Sequence, residues 1–228
     1  MFRFARPWTA PSKAYQFATL ARQGVGVLLA ILLAKSPLPA AAIGQYEQLL
    51  YVGTLLSAFW VTGLVQALLA RFGRLHKAAQ LSFVWTAYLV VAGLGVTLSL
   101  LAWWTREGWV PAVSGRASLM HLGLFLAYLA VQLPVFLMDN YYLLWKQGKR
   151  LLIYGLLSYG LQLPVLLVPV WLDYGLEGAL WGLFAIAVAR HLWLLGELFR
   201  HSNLRWDTRL ARHWLAAAGP LVLYALVG

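Results

Sequence analysis

Cysteine is absent from all 228 residues, which excludes a disulfide framework and any thiolate metal site. Charge is scarce. Asp, Glu, Lys and Arg make up 11% of the chain, where a soluble domain carries about 25%. The remainder is 62% hydrophobic, with a mean hydropathy of +0.72. A single soluble core of this size could not hide so much apolar surface, so the solvent must be lipid. The signatures of common enzymes are missing as well: no Gly-rich phosphate loop with its lysine, no HExxH, no Gly-x-Ser-x-Gly and no metal-ligand spacing. The five histidines are scattered. An ATP-driven pump or a hydrolase is therefore not expected, nor is a cofactor or a bound metal. The net charge of +11 would suggest nucleic acid in a soluble protein. Here it has to be read through the positions of the basic residues, and no nucleic-acid partner is expected.

What the chain does have is long apolar stretches, at roughly 15–34, 46–70, 79–104, 118–144, 151–172 and 178–199. A seventh begins near 214. Each of the first six is near or above the roughly 20 residues with which a helix crosses about 30 Å of hydrocarbon. Backbone groups in lipid must pair within their own segment, which favours helices. Membrane β-strands would alternate over only about 10 residues, and no stretch does. The opening residues lack the small-residue cleavage site of a signal peptide. The expected fold is all-α: a polytopic membrane helix bundle with six transmembrane helices and an incomplete seventh. Residues 1–213 would form the bundle and 214–228 the start of the seventh helix. With 15 residues from Trp214 to Gly228, or about 22 Å of helix, that segment is too short to span comfortably. Short gaps imply antiparallel neighbours and leave no room for an extramembrane domain.

Lysine and arginine then set the orientation. Arg3, Arg6, Lys13 and Arg22 precede or open the first span; Arg71, Arg74 and Lys77 fill the second gap. Lys146, Lys149 and Arg150 fill the fourth gap, and Arg200, Arg205, Arg209 and Arg212 the sixth. Fourteen of the 18 basic residues thus share one side, against Lys35, Arg106 and Arg116 in the opposite loops. By the positive-inside rule the N-terminus is cytoplasmic. Tryptophans mark both interfaces, with Trp103, Trp104, Trp109 and Trp171 at outer ends and Trp145, Trp206 and Trp214 at inner ones.

Several residues go beyond spanning. Between the first two spans, Pro37 and Pro39 stop a helix, and Gly44 offers a backbone conformation closed to other residues. Lys35 ends the first helix and Glu47 falls in the first turn of the second, each at the dipole end that favours it. The pair serves either as interfacial caps or as a gating ion pair. On the fourth span His121, Tyr128, Gln132 and Asp139 fall within about 20° of one line at 100° per residue. Such a stripe either lines a cavity or makes interhelical hydrogen bonds worth about 0.6 kcal/mol each. Pro134 beside it is a candidate kink, as are Pro164 and Pro169 in the fifth span. Arg190 lies near the middle of the sixth span, where a lone arginine costs at least about 2.5–3.5 kcal/mol. It requires a wet cavity, a structural partner such as Asp139 or Glu197, or room to snorkel. Gly178 and Gly182, four apart, suit close helix packing.

The stretch from Ala30 to Phe72, "AILLAKSPLPAAAIGQYEQLLYVGTLLSAFWVTGLVQALLARF", resembles the first hairpin of Wzx-like oligosaccharide flippases. These belong to the superfamily that also contains the multidrug and toxic compound extrusion (MATE) transporters. Lys35, Pro39, Gly44 and Tyr46 match the bend; Gly63, Gln66, Ala67, Leu68 and Arg71 match the helix end. "YGLEGALWGLFAIAVARHLWLL" (Tyr174 to Leu195) is similar to the start of the family's sixth helix, and "KQGKR" to its basic turn after the fourth. The resemblance implies a non-enzymatic membrane flippase in the bacterial cytoplasmic membrane, moving lipid-linked oligosaccharide outward for surface polysaccharide synthesis. Its partners would be a polyprenyl-pyrophosphate-linked sugar, membrane lipids and a second bundle encoded elsewhere, since family members have two similar bundles around a cavity and this chain reads as the N-terminal half. Arg190 would then grip pyrophosphate bidentately, with Asp139, Gln132, Tyr128 and His121 completing the substrate site. The alternatives are a cation-coupled drug exporter of the MATE type, against which stands the absence of acidic residues deep in the first span, and a non-transporting scaffold or remnant.

Overall fold

The computed structural model describes residues 10–227, with side chains as far as residue 225; Arg3 and Arg6 of the basic flank lie outside the described residues. Eight helices follow one another: α1 (Pro11–Ala34), α2 (Ala40–Phe72), α3 (Lys77–Trp104), α4 (Arg106–Ser114), α5 (Leu122–Leu144), α6 (Gly148–Trp171), α7 (Gly175–His201) and α8 (Thr208–Val227). The fold is all-α. Six of the helices, α1 to α3 and α5 to α7, are long and apolar enough to cross a membrane. Large side chains such as Leu20, Val27, Leu55, Leu100 and Leu192 are exposed, which suits a lipid solvent rather than water. Pro134, Pro164 and Pro169 all lie inside helices that continue past them.

Local chemistry moves several boundaries from their expected places. α2 begins at Ala40 rather than near residue 46, because three alanines follow Pro39. Alanine is the best helix former, and the Pro39 carbonyl accepts the Ala42 and Ile43 N–H groups at 2.9 and 3.2 Å. Gly44 is therefore helical, not a turn residue; among the described glycines the positive φ angles belong to Gly115 and Gly175. Glu47 lies two turns into α2, past the dipole end that would have favoured it. Lys35 is the residue at the end of α1, its N–H donating to the Ile31 carbonyl at 3.2 Å. The turn itself is held by Ser36, whose hydroxyl donates to the Leu33 carbonyl at 2.7 Å and accepts the Leu38 N–H at 3.3 Å.

The loop after α3 contains a helix that the apolar pattern did not reveal. α4 is nine residues long, too short to declare a period. It is pinned to α3 by the Trp109 indole, which donates to the Ala102 carbonyl at 2.9 Å. The Arg106 guanidinium stacks 4.3 Å above the Trp103 ring. Further on, α5 starts at Leu122, not 118. His121 sits just ahead of it in the left-handed region (φ 59), with its carbonyl accepting the Phe125 N–H at 3.0 Å. α8 begins at Thr208, not 214, because the Asp207 carboxylate caps it by accepting the Leu210 N–H at 2.9 Å. Its 20 residues make about 30 Å of helix.

The chain divides into two compact units, neither contiguous in sequence: Met1–Gly44 with Met138–Ile186, and Gln45–Leu137 with Ala187–Gly228. The first is built on α1 packed against α6. Without a hydrophobic drive between helices in lipid, small residues let backbones approach and dispersion holds them. Ala14 and Ala18 are buried on α1, and a methyl added to Gly155 of α6 would stand 3.0 Å from the Ala18 Cβ. α7 enters the same unit through Gly182, which lies so close to the Val165 carbonyl that any side chain would overlap it. A methyl added to Gly178 would stand 2.5 Å from the Tyr174 Cβ and 3.0 Å from the Pro169 Cβ.

The second unit gathers most of α2, α3, α4, the first part of α5, the end of α7, and α8. Trp214 of α8 is fully buried there. Its indole donates to the Leu64 carbonyl at 3.1 Å and its ring meets Phe83 edge-on at 5.7 Å. It is a core residue of this unit, not the interfacial marker expected from its place in the sequence. Beside it, Gly63 of α2 admits Val222 of α8; a methyl on Gly63 would come within 2.6 Å of the valine side chain.

Candidate functional site

Polar chemistry collects at one place in each unit. In the first unit the centre is Asp139, in the last turns of α5. The Tyr159 hydroxyl of α6 donates to its Oδ2 at 2.9 Å, and an Arg22 guanidinium nitrogen of α1 stands 3.9 Å from the same oxygen. Arg22 is the twelfth of the 24 residues of α1, so it does not open the span as its charge suggested; it stands at mid-helix. The local cause is spacing. Ala14, Ala18 and Arg22 are four apart and share a face, and the two alanines that bury this face carry the arginine in with them. Asp139 is shielded, its side chain 13% exposed, while Arg22 is 43% exposed. A carboxylate held by a hydroxyl and a guanidinium can bind or release a proton, or exchange its arginine for another cation.

In the second unit the centre is Arg190 on α7, buried at 6% exposure. It lies within electrostatic range of the Tyr128 hydroxyl on α5, and Tyr128 in turn within range of the Tyr46 hydroxyl on α2. Gln132, one turn beyond Tyr128, is also buried. Its amide oxygen has no hydrogen-bond partner among the described residues. A guanidinium, two phenols and an amide with an open acceptor form a set suited to an oxyanion and hydroxyl groups. Next to Arg190, His191 ties three helices together. Its Nδ1 meets the Val131 carbonyl of α5 at 2.9 Å and its Nε2 the Tyr88 hydroxyl of α3 at 3.0 Å. A carbonyl only accepts, so Nδ1 carries the proton and Nε2 accepts from Tyr88.

Arg190, Tyr128 and Gln132 belong to the second unit and Asp139 to the first. His121, the first member of the expected stripe, precedes α5 and so has no helical register with the rest. The Glu197 carboxylate lies 3.3 Å from His201 Nδ1, one turn on. From the sequence Arg22 reads only as part of the basic flank and Tyr46 only as a bend residue, and Tyr159 and His191 do not stand out. For Arg22 the signal was present in its spacing from Ala14 and Ala18; Tyr159 and His191 are placed by tertiary packing alone.

Long apolar helices enclosing buried charge define the class as a multi-pass membrane fold. No protein-family model matches the chain, and no curated protein matches it. Solved structures do. A MOP superfamily transporter from Pyrococcus furiosus aligns at a TM-score of 0.71 and 18% identity, over 95% of this chain and 53% of that one. A MATE protein in complex with Br-NRF aligns at a TM-score of 0.66 and 20% identity, over 95% and 55%. At such identities the likeness is one of fold. The chain spans about half the length of the solved transporters it matches.

Proposed function

We propose that this chain forms one helical lobe of a secondary transporter, and that its cargo is a polyprenyl-pyrophosphate-linked oligosaccharide flipped across the bacterial cytoplasmic membrane for surface polysaccharide synthesis. The observation that carries this reading is Arg190, a buried cation near the middle of a membrane helix, grouped with Tyr128, Tyr46 and Gln132. A pyrophosphate offers the two oxygens that a guanidinium grips in parallel, and sugar hydroxyls can pair with the phenols and the amide. The Pyrococcus furiosus transporter is described as having a binding pocket of reverse polarity that suggests a different function. The polarity of a buried centre therefore bears on function, and the Arg190 guanidinium gives this one a positive charge. A second lobe would complete the cavity, and the excess of basic residues in alternate loops favours a cytoplasmic N-terminus.

The test is lipid-linked oligosaccharide flipping with a second lobe supplied. Arg190→Lys keeps the charge and loses the fork, so flipping should fall while protein level stays normal. Unchanged flipping and level in Arg190→Ala would overturn the reading. A cation-coupled exporter of the MATE type is the second reading, favoured by the Asp139 carboxylate within the apolar span. It predicts drug efflux that Asp139→Asn abolishes and Arg190→Lys leaves intact.

A further inference from the structure

The groove where the end of α2 meets α8 holds a second basic site, within the second unit and separate from Arg190. A cavity of about 340 Å³ opens there, walled by Ala67, Ala70, Ala217 and Leu221 and edged by Arg71 and Arg74. We propose that it binds the phosphate headgroup of an anionic membrane phospholipid, with one acyl chain lying along the alanine wall.

The sequence builds this groove directly. Three alanines on facing helices leave room that larger side chains would fill. Arg71 follows Ala67 by four residues on the helix and so stands above it, and Arg74, in the turn just past the helix end, edges the same cavity. α2 ends at Phe72, which places both guanidinium groups where an apolar span gives way to a polar loop, the level of lipid headgroups. The Nε of Arg71 is buried and has no hydrogen-bond partner among the described residues. A buried donor left unpaired is costly, and a phosphate oxygen would pair it.

Two features decide between headgroups. The residues lining the cavity include no Asp or Glu, so the ammonium of a zwitterionic lipid would find no carboxylate there. The C-terminal pole of α2 opposes an anion with about half a unit charge. That pole is partly spent, because the Arg71 and Phe72 carbonyls accept the Arg74 and Leu75 N–H groups at 3.0 and 3.2 Å, and the Gln80 amide donates to the Phe72 carbonyl at 3.1 Å. Two full guanidinium charges outweigh what remains. Basic pockets between membrane helices are an established mode of anionic-lipid recognition.

The experiment measures binding of phosphatidylglycerol to the full chain in mild detergent, by native mass spectrometry. Phosphatidylcholine and inorganic phosphate serve as the other probes. Phosphatidylglycerol should bind saturably and survive gentle activation, and the other two should not. Arg71→Gln with Arg74→Gln should weaken binding about 25-fold, roughly fivefold per charge. Ala217→Trp fills the groove without touching either charge and should abolish retention, which keeps the test decisive if the double variant fails to fold. Equal retention of phosphatidylcholine would overturn the proposal, as would inorganic phosphate displacing the lipid, which marks a free-anion site. Parental binding by either variant would also overturn it. None of these outcomes depends on what the transporter carries.

Discussion

Removing Arg22 should destabilise the chain chiefly by taking a guanidinium away from Asp139. The two side chains stand 3.9 Å apart. At an effective dielectric of about 20 that separation gives a gross attraction of about 4 kcal/mol. Desolvation consumes part of it, and the 43% exposure of Arg22 reduces the share left as net coupling. Breaking a buried pair from one side costs about 3–5 kcal/mol, so Arg22→Ala should fall near the lower end, at about 3 kcal/mol. Asp139→Asn leaves an arginine that can lean toward the interface and keeps a carbonyl for the Tyr159 hydroxyl. Its cost should be about 1 kcal/mol, within the range for a single polar contact in a membrane protein. The double variant should be no worse than about 2 kcal/mol. The resulting coupling of about 2 kcal/mol is a factor of roughly 30 in the unfolding equilibrium. The assay is unfolding in mixed micelles by rising denaturing detergent, followed by tryptophan fluorescence. Costs that add to within about 0.5 kcal/mol would show that the two charges do not sense one another, and the pairing would be refuted.

Trp214→Phe loses the indole bond to the Leu64 carbonyl but keeps the ring against Phe83, and should cost about 1 kcal/mol in the same assay. Trp214→Ala empties the site and should cost about 3–5 kcal/mol; a neutral result would show that α8 is not packed as described. Gly182→Leu should prevent folding, because no rotamer avoids the Val165 carbonyl; normal yield from membranes would refute that contact. Orientation is read by cysteines introduced one at a time into a chain that has none. Cysteine at Ser36 or Ser114 should react with an impermeant thiol reagent on intact cells, and at Gln147 or Ser202 only after permeabilisation; the reverse pattern overturns the topology.

The spans were legible because length and apolarity need no tertiary information: a run of about 20 apolar residues is a helix in lipid whatever it packs against. Helix ends were less so. The start of α2 turned on Ala40–Ala42, which read as part of a bend because prolines precede them and Gly44 follows. The start of α8 lay in Asp207–Thr208, a capping signal that Arg209 and Arg212 obscured by looking like a loop. Within the polar centres, residues whose cost of burial is large by themselves, Arg190 and Asp139, announced themselves. Tyr159 and His191 did not. An aromatic or a histidine carries no such penalty, and its role arises only when a partner from a distant part of the chain is brought opposite. Trp214 shows the converse error: a tryptophan near a helix end suits the membrane interface, yet a free carbonyl and an aromatic edge held it in the interior.

The His191 tie constrains how this half of the molecule can deform. One imidazole fixes α3, α5 and α7 at a single depth, and its two nitrogens have opposite polarity, a donor toward Val131 and an acceptor toward Tyr88. Turning any one of the three helices by a residue swings its partner through about 100° and breaks both the bond and its sense. Sliding one helix by a turn carries the partner about 5.4 Å away. Ratchet or screw motions among these helices must therefore break at least one of these bonds, at about 0.6 kcal/mol each, while tilting them together keeps both. The side chain acts as a keyed pin that biases the element carrying the buried arginine to move with the two helices tied to it.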